Sequence, residues 1–114
     1  MNIWHHTVGD TLTPVPWQVE RLVNGVWSSV DLTDLDVQFR MVAEDGAVIV
    51  DDDDTGVTVT DATAGGGQYD FQAADVATAG VYYAWIRVVD PVSGERDTYP
   101  AGGRKWVIVI SDAG

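Results

Sequence analysis

Asp36-Val37-Gln38-Phe39-Arg40-Met41 alternates polar and apolar residues without a break, and this stretch decides the fold. A strand turns successive side chains to opposite faces, so Val37, Phe39 and Met41 line one face and Asp36, Gln38 and Arg40 the other. Gln68–Gln72 obeys the same rule, with Tyr69 and Phe71 inward and Gln68, Asp70 and Gln72 outward. Val81–Val89 and Trp106–Ile110 are apolar on both faces. One face of each must line the core, and the other is covered by a neighbouring element or by a partner. Turn residues punctuate the runs densely, at Asn24-Gly25, Asp45-Gly46, Gly65-Gly66-Gly67, Gly80, Pro91, Gly94 and Gly102-Gly103. Helical period is confined to a single turn around Ala73–Ala77. The expectation is an all-β chain, a single antiparallel β-sandwich with about seven to nine short strands and little or no helix.

Asn24-Gly25 marks the clearest hairpin, because both residues tolerate the positive φ of a two-residue type I′ turn. With Val15–Val23 and Val26–Leu32 as its arms, Val23 pairs with Val26, Arg21 with Ser28, Val19 with Val30, and Trp17 with Leu32. That face reads as core apart from Arg21 and Ser28. The other face sets Leu22 beside Trp27, an apolar pair that either covers a strand edge or meets another protein. Asp45-Gly46 joins Val37–Ala43 to Ala47–Val50 in a second hairpin. A strand through Val57 and Val59 follows, then a turn over Asp61–Gly67. Pro16 predicts an edge position for its strand.

The 114 residues suffice for one domain, and no linker divides them. Residues 1–8 read as an N-terminal arm or an added edge strand, and 9–114 as the sandwich. Eighteen acidic residues against six basic ones give a net charge of −12. Nucleic acid and anionic membrane surfaces are excluded as partners on that balance. No apolar run is long enough to span a bilayer, and Met1–His6 lacks the features of a secretory signal. Cysteine is absent, which removes disulfides, thiolate metal sites and cysteine nucleophiles together.

Asp51-Asp52-Asp53-Asp54 is the most conspicuous run. Asp51 and Asp53 are the residues a hard cation would use, and the run begins like a calcium loop. The twelfth position is Ala62 rather than Glu, so the reading is no metal and a solvated acidic loop that guards an edge. His5 and His6 point to opposite sides of an extended chain and do not chelate one ion. No serine lies in a nucleophile motif, no carboxylate pair stands out, and the glycine clusters do not form a phosphate loop. The chain therefore reads as no enzyme, with no cofactor. Trp4, Trp17, Trp27, Trp85 and Trp106 are many for this length, and tryptophan is enriched where proteins meet. Ile3, Trp4, His5, Leu22 and Trp27 are the candidate protein-interface residues.

Gly9-Asp10-Thr11-Leu12-Thr13-Pro14 opens an ordered series of features. It continues through Val30-Asp31-Leu32-Thr33, Val37–Met41, Asp61–Gly65 before Gln68–Phe71, Ala79–Trp85, Tyr99-Pro100 and Val107–Ile110. In that order the chain resembles the Ig-like N-terminal domain of siphophage baseplate upper proteins, over almost its whole length. The resemblance implies an Ig-like sandwich serving as a building block of phage virions, with no catalytic residues to carry over. In that family the sandwich opens a longer chain, whereas these residues hold the sandwich alone. The expected role is therefore a capsid decoration (minor capsid) protein on the outer shell, assembled into virions in the host cytoplasm. Its partners would be the major capsid protein or other virion proteins, or further copies of itself. A tail, connector or baseplate adaptor is the alternative within this class, and a calcium-dependent carbohydrate-binding module the alternative from another.

Overall fold

Period-two alternation becomes two packed layers in the computed structural model, which describes residues 3–12, 14–100 and 105–112. Met1 and Asn2 of the 1–8 segment and the Gly102-Gly103 turn lie outside the described residues. The strands are β1 (Ile3–Thr7), β2 (Val15–Gln18), β3 (Glu20–Val23), β4 (Val26–Ser29), β5 (Asp36–Ala43) and β6 (Val48–Asp53). They continue with β7 (Val57–Asp61), β8 (Gly66–Tyr69), β9 (Gly80–Val89), β10 (Arg96–Tyr99) and β11 (Trp106–Ser111). One 3-10 turn, Ala73–Val76, is the helical element among the described residues. The chain is all-β, as the alternation requires.

The larger sheet runs β1-β11-β9-β5-β6, with β10 also paired to β9; the smaller runs β2-β8-β7; β3 and β4 form a separate hairpin. Most pairs are antiparallel, but β1 lies parallel to β11, from Ile3 opposite Val107 to Thr7 opposite Ser111. The core fills the space between the two sheets. Val37, Phe39 and Met41 enter it from β5, Tyr82, Ala84, Ile86 and Val88 from β9, and Trp106, Ile108 and Ile110 from β11. Val15, Trp17 and Tyr69 face them from the smaller sheet. Phe39 and Tyr69 stack across the layers at 4.0 Å between ring centroids and 10° between planes. Such a pair adds about 0.5–1.5 kcal/mol to what burial of the two rings already supplies.

Three local expectations are corrected. The strand expected over Val15–Val23 breaks at Val19, so Trp17 pairs with Gly67 on β8 rather than with Leu32. Leu32 is buried all the same, and its amide bonds the Ala62 carbonyl at 2.8 Å. Val23 and Val26 pair as expected, yet they are 45% and 63% exposed, because the hairpin pairs with neither sheet and is exposed along both strands. Gly66 and Gly67, read as turn residues, open β8. The physical reason at Gly67 is space: a Cβ there would collide with the Trp17 indole and sit 2.6 Å from the Thr58 carbonyl oxygen.

The type I′ turn is formed, with φ of 51° at Asn24 and 80° at Gly25. Gly67→Ala is expected to cost about 3 kcal/mol in urea denaturation, since backbone and indole must both yield. An unchanged midpoint would mean that Trp17 has room to move.

Candidate functional site

The face of the larger sheet turned away from the core carries an apolar row that crosses every strand on the sheet's main path. Val48 on β6 pairs with Val42 on β5, Val42 with Tyr83 on β9, Tyr83 with Val107 on β11, and Val107 with Ile3 on β1. Neighbouring strands lie about 4.8 Å apart, so the row is roughly 19 Å long. Val81, Val109 and His5 form a second, shorter row beside it. Val42, Tyr83 and Val107 are half-buried by their neighbours, while Ile3 and Val48 at the two ends stand 53% and 47% exposed. Lys105 places its ammonium 4.0 Å from the centre of the Tyr83 ring. A sheet face open to water ordinarily carries polar side chains; here the apolar side chains continue through the sheet.

The second half of β9 makes the same face polar. Arg40, Asp52, Trp85, Arg87 and Thr98 line a groove of about 220 Å³. A β-bulge sets Asp51 and Asp52 on β6 against the single residue Arg40 on β5. Asp52 takes a φ of 49° there. Arg40 Nη1 lies 2.7 Å from Asp51 Oδ1 and 3.8 Å from Asp52 Oδ2, and Arg87 Nη1 lies 2.8 Å from the same Asp52 oxygen. These pairs are partly wet, so each stabilises by no more than about 1 kcal/mol. What they do is cancel charge in one of the most acidic parts of the chain.

Each candidate residue has a definite place. Ile3 and His5 lie on the outer face of β1, alongside the apolar rows. Trp4 turns the other way and meets Trp106 edge-on at 5.7 Å. Leu22 and Trp27 are cross-strand partners on the β3–β4 hairpin, 54% and 45% exposed. Ile3 and His5 thus form one group on β1, and Leu22 and Trp27 another on the hairpin. β3 is tied to β10 by Arg21, which donates to Tyr99 Oη at 3.1 Å and to Asp97 at 3.3 Å.

Asp51 is engaged by Arg40, and Asp53 accepts from the Thr55 amide at 2.8 Å and from the Tyr69 hydroxyl at 3.3 Å. Among the described residues, no three His, Asp or Glu side chains gather into a metal-binding group. Val42, Val81, Tyr83, Val107 and Val109 were not singled out from the sequence. Their signal was the two-sided apolar character of β9 and β11, which names strands but not which side chains of different strands align.

His6 faces inward and meets Phe71 edge-on at 4.9 Å. Burial holds its pKa below the ordinary 6.5, against a smaller opposing pull from Asp10. A depressed histidine contributes stability that is complete above the unfolded value and lost as the pH falls. Thermal melts should therefore show stability declining as pH drops below 6.5, and His6→Phe should flatten that decline. Millimolar calcium should move the melting temperature by less than about 1 °C, because Asp51, Asp52 and Asp53 already have protein partners. A rise of several degrees would reveal a cation site there.

No protein-family model matches the chain, and no curated protein matches it.

Proposed function

We propose that the chain is a non-enzymatic structural protein of a phage virion that decorates the outer capsid shell by docking its open sheet face. The carrying observation is the apolar row Val48–Val42–Tyr83–Val107–Ile3, aligned across the larger sheet. A flat apolar strip of this kind is suited to burial against another protein, and a contact of several aligned side chains needs no moving parts. The exposed Leu22–Trp27 pair supplies a second contact of the same character. The net charge of −12 favours a partner surface rich in Lys and Arg, and it repels the chain from packaged DNA. The resemblance to siphophage baseplate sandwiches supports the virion setting.

Copy number per virion, measured by quantitative mass spectrometry against the major shell protein, tests this reading. Parity with the shell protein, or a simple fraction of it, is expected. A dozen or so copies would instead support a tail, connector or baseplate adaptor, and absence from virions would overturn the structural role. Val107→Gln combined with Tyr83→Ser should lower occupancy at least about tenfold while leaving the melting curve cooperative.

A further inference from the structure

We infer that β1 is a self-pairing edge, through which two copies of this chain join their larger sheets across a two-fold axis at His5. An edge strand presents unpaired N–H and C=O groups, and folded proteins blunt such edges with charge, proline, bulges or brevity. The other edges here are blunted. β6 carries the bulge and three aspartates, β2 contains Pro16, and β7 has a register break between Val59 and Asp61. β10 bears Arg96 and Asp97, and β3 and β4 are four-residue strands of a two-stranded ribbon. β1 has none of these devices: Ile3-Trp4-His5-His6-Thr7 contains no Lys, Arg, Asp, Glu or Pro.

The hydrogen-bond phase of β1 fits this pairing. The Val8 amide donates to the Ser111 carbonyl at 2.9 Å, so in the parallel ladder the even-numbered residues direct their amides to β11. Ile3, His5 and Thr7 then direct theirs outward. An antiparallel copy centred on His5 sets His5 opposite His5 as a hydrogen-bonded pair and Ile3 opposite Thr7, where the Thr7 amide is open to the copy while the Thr7 carbonyl already accepts from the Asp10 amide at 3.0 Å. The contact is isologous, as a two-fold dimer requires. It also carries the row Val81–Val109–His5 directly into its two-fold-related counterpart on the second copy. Electrostatics choose the occupant. A basic partner finds no carboxylate among Ile3–Thr7, Asp10 standing beyond the strand's end, whereas two copies meet at His5 along residues without carboxylate or ammonium despite a net charge of −12 each. The inference does not depend on the function proposed above.

Sedimentation equilibrium on the full chain, from micromolar to sub-millimolar concentration, tests it. A monomer–dimer equilibrium is expected, strengthened by salt as the net charges are screened. His5→Pro removes one outward amide, a substitution that an edge strand tolerates, and should weaken the dimer about tenfold or more with a cooperative melt retained. Trp27→Lys, which charges the hairpin edge instead, should leave the dimer intact. A chain that stays monomeric throughout, or a dimer that survives His5→Pro and is lost in Trp27→Lys, overturns the proposal. Should His5→Pro fail to fold, amide exchange on the unmodified chain decides. Protection of the His5 and Thr7 amides must rise with protein concentration, and constancy overturns the proposal equally.

Discussion

Tyr69 is where the two layers are joined, and much of the rest is arranged around it. Its ring lies flat on Phe39 of the opposite sheet and edge-on to Phe71 at 5.8 Å. Its hydroxyl reaches Asp75 at 3.2 Å and Asp53 at 3.3 Å, so one buried side chain ties the core to the 3-10 turn and to the end of β6. Burial first, and then the two carboxylate charges, push its pKa well above the ordinary tyrosine value. The phenol therefore stays neutral and able to donate. The backbone makes way for it: a Cβ on Gly56 would lie 2.8 Å from Cε1 of the ring. A chain without cysteine joins its sheets by such packing, and no cross-link shares the task.

The acidic excess is managed locally. Asp51 and Asp52 meet Arg40 and Arg87, and Asp53 and Asp75 meet Tyr69. Asp31, Asp45 and Asp90 are spent on turns, each accepting from an amide two residues on. An aspartate used as a turn acceptor stabilises its loop through a local bond, independent of any cation. The run Asp51–Asp54 forms the bulge of β6 and the turn that follows it.

Period-two alternation was enough to read the architecture, because a half-buried strand must segregate its faces. Val37, Phe39, Met41, Tyr69 and Phe71 are buried as the alternation demands, and the type I′ turn follows from Asn24-Gly25. What was not legible depends on partners distant in sequence. Val23 and Val26 look like core residues until the hairpin is seen to pair with neither sheet. Gly66 and Gly67 look like a turn until Trp17 is laid across Gly67. The apolar row is the strongest instance, since its members come from five strands and acquire a common line only through register. Ile3, Trp4 and His5 read alike as candidates in the sequence, and alternation along β1 divides them, with Ile3 and His5 on the outer face and Trp4 turned to Trp106.

The parallel pairing of β1 with β11 has a mechanical consequence. Both strands run the same way, so the chain enters the ladder at the Ile3–Val107 end and leaves it at the Thr7–Ser111 end. Tension applied through the two ends of the chain would pull these strands lengthwise past one another. The rungs between them would then bear the load together rather than opening one at a time, as in a peeled hairpin. Rupture under load is governed by the barrier to unfolding rather than by equilibrium stability. A small sandwich built in this way resists stretching better than its modest core alone would indicate.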